Sequence, residues 1–189
     1  MTRKSCLFIL FLITLVINLS SCGMIMSRYS PYPQNSLLLK DVGEDTKTKV
    51  SVAEFTADYD AKSPKSCRMV GAINMPEKEK PYEVIRKALI DELSLANLYS
   101  KDSSKVINAH VKNISFSTVS SPKWIIEGTF DLEGTKVPVS IEHKFEGGFV
   151  AVTACNNAVN AFMPSVQDYL YTFFKTDEFR NFVRKSEAQ

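Results

Sequence analysis

Trp124-Ile125-Ile126-Glu127-Gly128-Thr129-Phe130-Asp131-Leu132 runs into Glu133-Gly134 and then Val137-Pro138-Val139-Ser140-Ile141, and this stretch decides the fold. Trp124, Ile126, Gly128, Phe130 and Leu132 recur at every second position, so they share one face of a strand, with Ile125, Glu127, Thr129 and Asp131 opposite. Glu133-Gly134 reads as a hairpin turn. Val137, Val139, Ile141 and Phe145 then return to the same apolar side. Pro138 has no N–H to give to a ladder, which predicts an edge strand or a local irregularity. Gly147-Gly148 ends the meander.

The preceding strand alternates through Ile107, Ala109 and Val111, then continues in the opposite phase at Ile114 and Phe116, which predicts a bulge or bend. Pro81 suits the first position of a helix over 81–96. Ile85, Ala88, Leu89, Leu93 and Ala96 line one face of it, and Glu83, Arg86, Lys87, Asp91 and Glu92 mark its wetter side. Asn97 tolerates the left-handed conformation that closes a helix. Further back, Val50-Ser51-Val52 opens a strand that 53–55 continues out of phase. A polar loop over 58–66 and a second short strand over 68–73 follow.

Downstream of the meander, Val159, Phe162, Val166, Leu170 and Phe173 stripe a helix over 156–175, which Pro164 must kink or divide. Thr176 can cap a short last helix with Asp177 and Glu178 in its first turn and Phe179, Phe182 and Val183 turned inward. The order is ββαβββα plus a short C-terminal helix. It predicts a two-layer α+β domain, a mainly antiparallel sheet with two principal helices on one face.

The N-terminus is of another kind. Arg3 and Lys4 precede an apolar run from position 7 to 17, too short to span a bilayer, and small residues lead to Cys22. Leu19-Ser20-Ser21-Cys22 resembles the lipobox of bacterial lipoproteins. That resemblance implies removal of 1–21, a diacylglycerol on the Cys22 thiol and acylation of the new amino group, enough chains for stable anchoring. The alternative is an ordinary signal peptide cut elsewhere. Gly23 in place of Asp implies, by the same resemblance, the outer membrane with the domain facing the periplasm. Residues 22–47 read as the lipidated N-terminus and a flexible tether with a reach of roughly 25–30 Å. Leu37-Leu38-Leu39 stands out as a segment that docks or forms a short strand. Residues 48–186 make a single periplasmic domain.

Of four cysteines, Cys6 lies in the signal and Cys22 takes lipid, which leaves Cys67 and Cys155. In an oxidising compartment the pair predicts a disulfide closing a long loop; redox exchange and metal binding are the alternatives, without a C-x-x-C spacing to support them. The first 21 residues carry two basic and no acidic side chains, and the remainder carries 21 of each sign. That balance gives no field to attract nucleic acid, and membrane association is assigned to the lipid.

The sequence holds no G-x-S-x-G, no glycine-rich phosphate loop and no H-E-x-x-H. Cys67, His110, His143 and Cys155 are a conceivable zinc set, but lack a short-spaced ligand pair. His110 points away from the apolar face of its strand, whereas His143 shares the apolar phase of its own. Asp58 and Asp60 read as loop acids rather than paired catalytic carboxylates, and Trp124 with its neighbouring aromatics as sheet core rather than a ligand surface. No cofactor, metal or enzymatic activity is expected.

Residues 81–184 resemble YajG-type bacterial lipoproteins. The likeness runs through Ala96-Asn97-Leu98-Tyr99, the strand over 106–116 and the hairpin at Gly134. It continues through Phe145-Glu146-Gly147-Gly148-Phe149, Ala154-Cys155, Ala161-Phe162-Met163-Pro164-Ser165-Val166-Gln167 and Asp177-Glu178-Phe179-Arg180-Asn181-Phe182. The Cys67–Cys155 pair and Pro164 depart from that pattern and fit a branch of uncharacterised envelope lipoproteins. The resemblance implies a periplasmic domain on a lipid anchor and supplies no substrate. Two classes of function follow: a non-catalytic module that holds an envelope protein partner, with auxiliary lipoproteins of lipid-transport systems as a variant, or a periplasmic small-ligand binder or hydrolase whose site is not local in sequence.

Overall fold

The computed structural model describes residues 24–44, 46, 48–63 and 65–185; the lipobox-like stretch and Cys22 lie outside the described residues. In chain order the elements are β1 (Met24–Ile25), α1 (Pro33–Gly43), β2 (Ser51–Val52), β3 (Thr56–Ala57), α2 (Tyr59–Lys62), β4 (Lys65–Cys67), β5 (Gly71–Asn74), α3 (Pro81–Leu95), β6 (Val106–Ser117), β7 (Lys123–Leu132), β8 (Thr135–Lys144), α4 (Ala151–Phe174) and α5 (Asp177–Arg184).

The predicted two-layer α+β architecture is present. β6, β7 and β8 form the antiparallel meander, and β2 and β3 both run parallel to β6 on its other side. The register of β6 against β7 shifts between Val111 and Asn113, where the apolar phase of the sequence changes. β8 is the edge strand, in keeping with Pro138. Trp124, Ile126, Phe130 and Leu132 are buried on the side covered by α4 and α5, while Ile125, Glu127, Thr129 and Asp131 line the other face. Phe130 stacks on Phe173 at 3.7 Å between ring centroids, and Phe162 lies 4.8 Å from Trp124. Burying each such ring contributes about 1.5–3 kcal/mol. Gly128 interrupts the aromatic row because a Cβ there would stand 2.5 Å from the Tyr169 hydroxyl and 2.9 Å from the His110 carbonyl oxygen.

The helix termini follow their local chemistry. Pro81 opens α3, whose capping box includes a hydrogen bond from the Lys80 backbone N–H to Glu83 Oε2 (2.8 Å). Asn97 sits at φ 57°, and Leu98 N–H returns to the Leu93 carbonyl, as the sequence predicts for a left-handed terminus. Thr176 caps α5 by accepting from Phe179 N–H at 3.3 Å. At the other end of α5, buried Lys105 donates to the Phe182 and Lys185 carbonyls, a cation where a helix leaves orphan acceptors.

Four expectations are corrected. The segment 22–47 is not a flexible tether throughout: Pro33 starts α1, and Asn35, Leu39 and Val42 are buried against the domain. Leu39 docks as part of a helix, because its three-to-four-residue spacing to Asn35 and Val42 makes one packed face. The strand expected over 68–73 begins only at Gly71 and lies outside the main sheet. It forms a separate three-stranded sheet in the order β1-β5-β4, since the turn residue Arg68 takes φ 47° and folds the chain back on 65–67. The last long helix starts at Ala151 rather than at 156 and is one 24-residue element with Pro164 inside it, so of the two readings of that proline the division into two segments is not the one seen. Glu92, placed on the wet side of α3, is fully buried, because it recurs with Ile85, Ala88 and Leu89 on the same face.

Candidate functional site

Cys67 ends β4 and Cys155 lies in the second turn of α4; both are buried, and their sulfurs are bonded at 2.01 Å with Cα atoms 5.8 Å apart. The bridge therefore ties the small sheet to the main helical layer across 88 residues. It also consumes both thiols that a zinc set would need. Among the described residues, no group of three or more His, Cys, Asp and Glu side chains is placed to hold a metal ion.

The two histidines are kept apart on opposite faces of the sheet. His143 lies on the helical side, where its Nδ1 meets Asp168 Oδ2 of α4 at 2.6 Å. His110 lies on the open side. Its Nδ1 is 2.8 Å from Thr56 Oγ1 and its Nε2 is 3.1 Å from Asp58 Oδ1. In the tautomer with the proton on Nε2, that N–H donates to Asp58 and Nδ1 accepts from the Thr56 hydroxyl, which also lies 3.5 Å from the Ala109 carbonyl oxygen. This is a carboxylate–imidazole–hydroxyl relay assembled from β3, its following residue and β6. It borders an open depression of about 590 Å³ that also reaches Thr129, Asp131 and Lys136. A side-chain hydrogen bond from Lys136 and a backbone one from Gly134 hold the Asp131 carboxyl below its usual range. Asp58 thus acts with His110 rather than with Asp60, whose backbone carbonyl accepts from Lys65 Nζ at 2.5 Å. Trp124 is core, as the alternation predicts, with its indole N–H donating to the Ala158 carbonyl at 2.7 Å.

A third cluster was not found by motif. Glu92 Oε1 accepts from Tyr29 Oη (2.5 Å), the Tyr32 backbone N–H (2.9 Å) and Asn35 Nδ2 (3.0 Å). Asn35 Nδ2 also reaches the Gln167 carbonyl, and Gln167 Nε2 donates to the Ser30 carbonyl at 2.9 Å. Burial, then the hydrogen bond to Glu92, push the Tyr29 hydroxyl far above its ordinary range. Three donors converge on this one carboxylate oxygen, while Glu92 Oε2 and Asn35 Oδ1 are buried with no hydrogen-bond partner among the described residues, and the three bonds latch 29–35 onto α3 and α4. The legible signal was spacing: Glu92 follows Ile85 by seven, Ala88 by four and Leu89 by three. Thr56 and Asp168 carried no such signal, because their partners are 54 and 25 residues away.

No helix of the described residues is long and apolar enough to cross a membrane. No protein-family model matches the chain, and no curated protein does. Among solved structures, the chain is similar to a Xanthomonas campestris protein of the uncharacterised bacterial family DUF330, with a TM-score of 0.51 and 9% identity over 79% of this chain and 92% of that one. A second structure, of an uncharacterized protein, gives a TM-score of 0.52 and 11% identity over 81% of this chain and 97% of that one. At these identities the likeness speaks for the fold alone.

Proposed function

We propose that this protein is a lipoprotein of the bacterial envelope, anchored through Cys22 to the periplasmic side of the outer membrane, and that it acts as a non-catalytic interaction or assembly module. The observation that carries the module reading is β8. Its ten residues pair with β7 on one side and, among the described residues, with no strand on the other. An exposed edge can accept an extended segment of another protein, with main-chain hydrogen bonds for affinity and alternate side chains for specificity. The lipobox-like sequence supports the anchor, and the YajG-type resemblance supports the envelope setting. An auxiliary role in lipid transport is the variant closest to this reading.

A second reading rests on the Thr56–His110–Asp58 relay, whose hydrogen-bond order suits general-base activation of a hydroxyl. Against it, side-chain exposures of 42% for His110 and 61% for Asp58 leave water free to compete.

Photocrosslinkers at Ser140 and Glu142, both exposed on β8, decide between them. A reproducible crosslinked envelope protein, lost when Cys22→Ala mislocalises the chain, is the expected result. Absence of any such band, together with ester hydrolysis by the purified chain that disappears in His110→Ala, would replace the module with a hydrolase.

A further inference from the structure

One end of the molecule carries an apolar cap built from three connections. The turn after Cys67 presents Met69 fully to solvent. Arg68 Nε donates to Thr118 Oγ1 at 3.0 Å and Nη2 to the Thr118 carbonyl at 2.8 Å, so this turn lies against the β6–β7 connection, where Val119 is exposed. The chain leaving β8 arrives beside the same connection: Phe145 N–H donates to the Pro122 carbonyl at 3.1 Å, and a Cβ on Gly147 would lie 3.1 Å from Pro122 Cγ. Phe149, Val150 and Val152 follow at the start of α4, one turn before Cys155 and its bridge back to Cys67. Five of the nine large apolar residues exposed among the described residues are therefore gathered at this end.

The described chain also enters here. β1 runs parallel to β5 with Met24 opposite Ile73, so Met24 is at the end of β1 nearer Gly71 and the Met69 turn. Residues 29–35 are then latched by Glu92, which removes the slack that a loose linker would provide.

We infer that this cap seats in the interface of a lipid bilayer, with Met69, Phe149 and Val152 reaching the boundary between headgroups and acyl chains. The inference rests on the proposed anchor at Cys22. Only Gly23 separates Cys22 from Met24, so the lipidated residue stays within about 8 Å of the β1 entry, two Cα–Cα steps. A domain tied that closely meets the bilayer with whatever surrounds the entry. The surrounding charges are of both signs, Arg68 and Lys144 with Glu142 and Glu146, so contact is made by apolar insertion rather than by attraction to anionic lipid.

The test uses the full lipidated chain with Phe149→Trp, reconstituted into phosphatidylethanolamine–phosphatidylglycerol vesicles with or without brominated acyl chains. Trp124, the only native tryptophan, is fully buried and supplies the baseline. Leu95→Trp is the control, because Leu95 ends α3 near the start of β6, roughly 35 Å along that strand from the cap. The brominated chains should lower the added emission of the Phe149→Trp variant about twofold, since interfacial residues sit within reach of the upper acyl segment, and leave that of the Leu95→Trp control unchanged. Flotation is measured on the same samples. Phe149→Trp protein that floats with its introduced indole unquenched overturns the seated cap and leaves the anchor standing. Protein that fails to float overturns the anchor and the cap with it. An introduced indole shielded from aqueous iodide yet untouched by brominated lipid would overturn the seated cap too, and would show a protein surface, a second copy or a partner, covering it instead.

Discussion

Glu92 is the residue on which the N-terminal segment turns. A carboxylate at zero exposure is tolerated because Tyr29, Tyr32 and Asn35 supply three donors to one oxygen. Removing the acceptor leaves the fully buried Asn35 amide short of a partner, and the half-buried Tyr29 and Tyr32 donors in part, where a buried unsatisfied group costs about 1–3 kcal/mol. Glu92→Ala should therefore lower stability by about 1–3 kcal/mol, with Glu92→Gln milder because it keeps one oxygen. Limited proteolysis should show faster cutting within 26–44 in the alanine variant, since the latch holds that segment. Unchanged cutting with an unchanged denaturation midpoint would mean that α1 is held by its apolar contacts alone. Burial of this acid was legible from helical spacing, but residue type argued the other way. Spacing prevails once donors are present, and those donors come from a segment 57 to 63 residues earlier, which no local reading connects.

Elements with strong internal periodicity were readable in full: the meander, its bulge, the edge position of β8, α3 with its Asn97 terminus, and the Thr176 cap. Elements defined by pairing were not. β1, β2 and β3 are two residues each, too short to show alternation, and they exist because a longer strand is already there to pair with. The early chain is fixed instead by a covalent element. The bridge closes a loop with a separation of 88 residues, for which the chain-entropy estimate is about 4–5 kcal/mol. Cys155→Ala should lower thermal stability substantially and loosen 65–74, which is otherwise held by the Arg68–Thr118 hydrogen bonds and the burial of Ile73. Non-reducing peptide mapping of freshly isolated protein should recover one linked pair containing Cys67 and Cys155. Two free thiols would remove this account, and a midpoint unmoved by Cys155→Ala would show that the small sheet is secured by packing.

For the molecule as a whole, the buried tyrosines set a limit on the alkaline side. Tyr29 is pushed up by burial and by Glu92, and Tyr169 by burial alone, its hydroxyl lying under Gly128 without a hydrogen-bond partner among the described residues. A phenol whose folded pKa exceeds its unfolded value of about 10 holds its proton longer in the folded state. The unfolded chain then binds fewer protons, so stability is intact below about pH 10 and falls as the pH rises beyond it. Lys65, lowered by burial, works in the opposite sense over a neighbouring range, one lysine against two tyrosines. Denaturant midpoints should be level from pH 8 to about 9.5 and drop by pH 11. Tyr169→Phe removes a buried, unpartnered hydroxyl, so at pH 8 it should cost nothing or stabilise slightly. Combined with Tyr29→Phe it should flatten the alkaline decline, whereas Tyr29→Phe alone leaves the Tyr169 share in place. An alkaline decline of the same slope in the double variant would assign the loss to repulsion among surface charges rather than to these two hydroxyls.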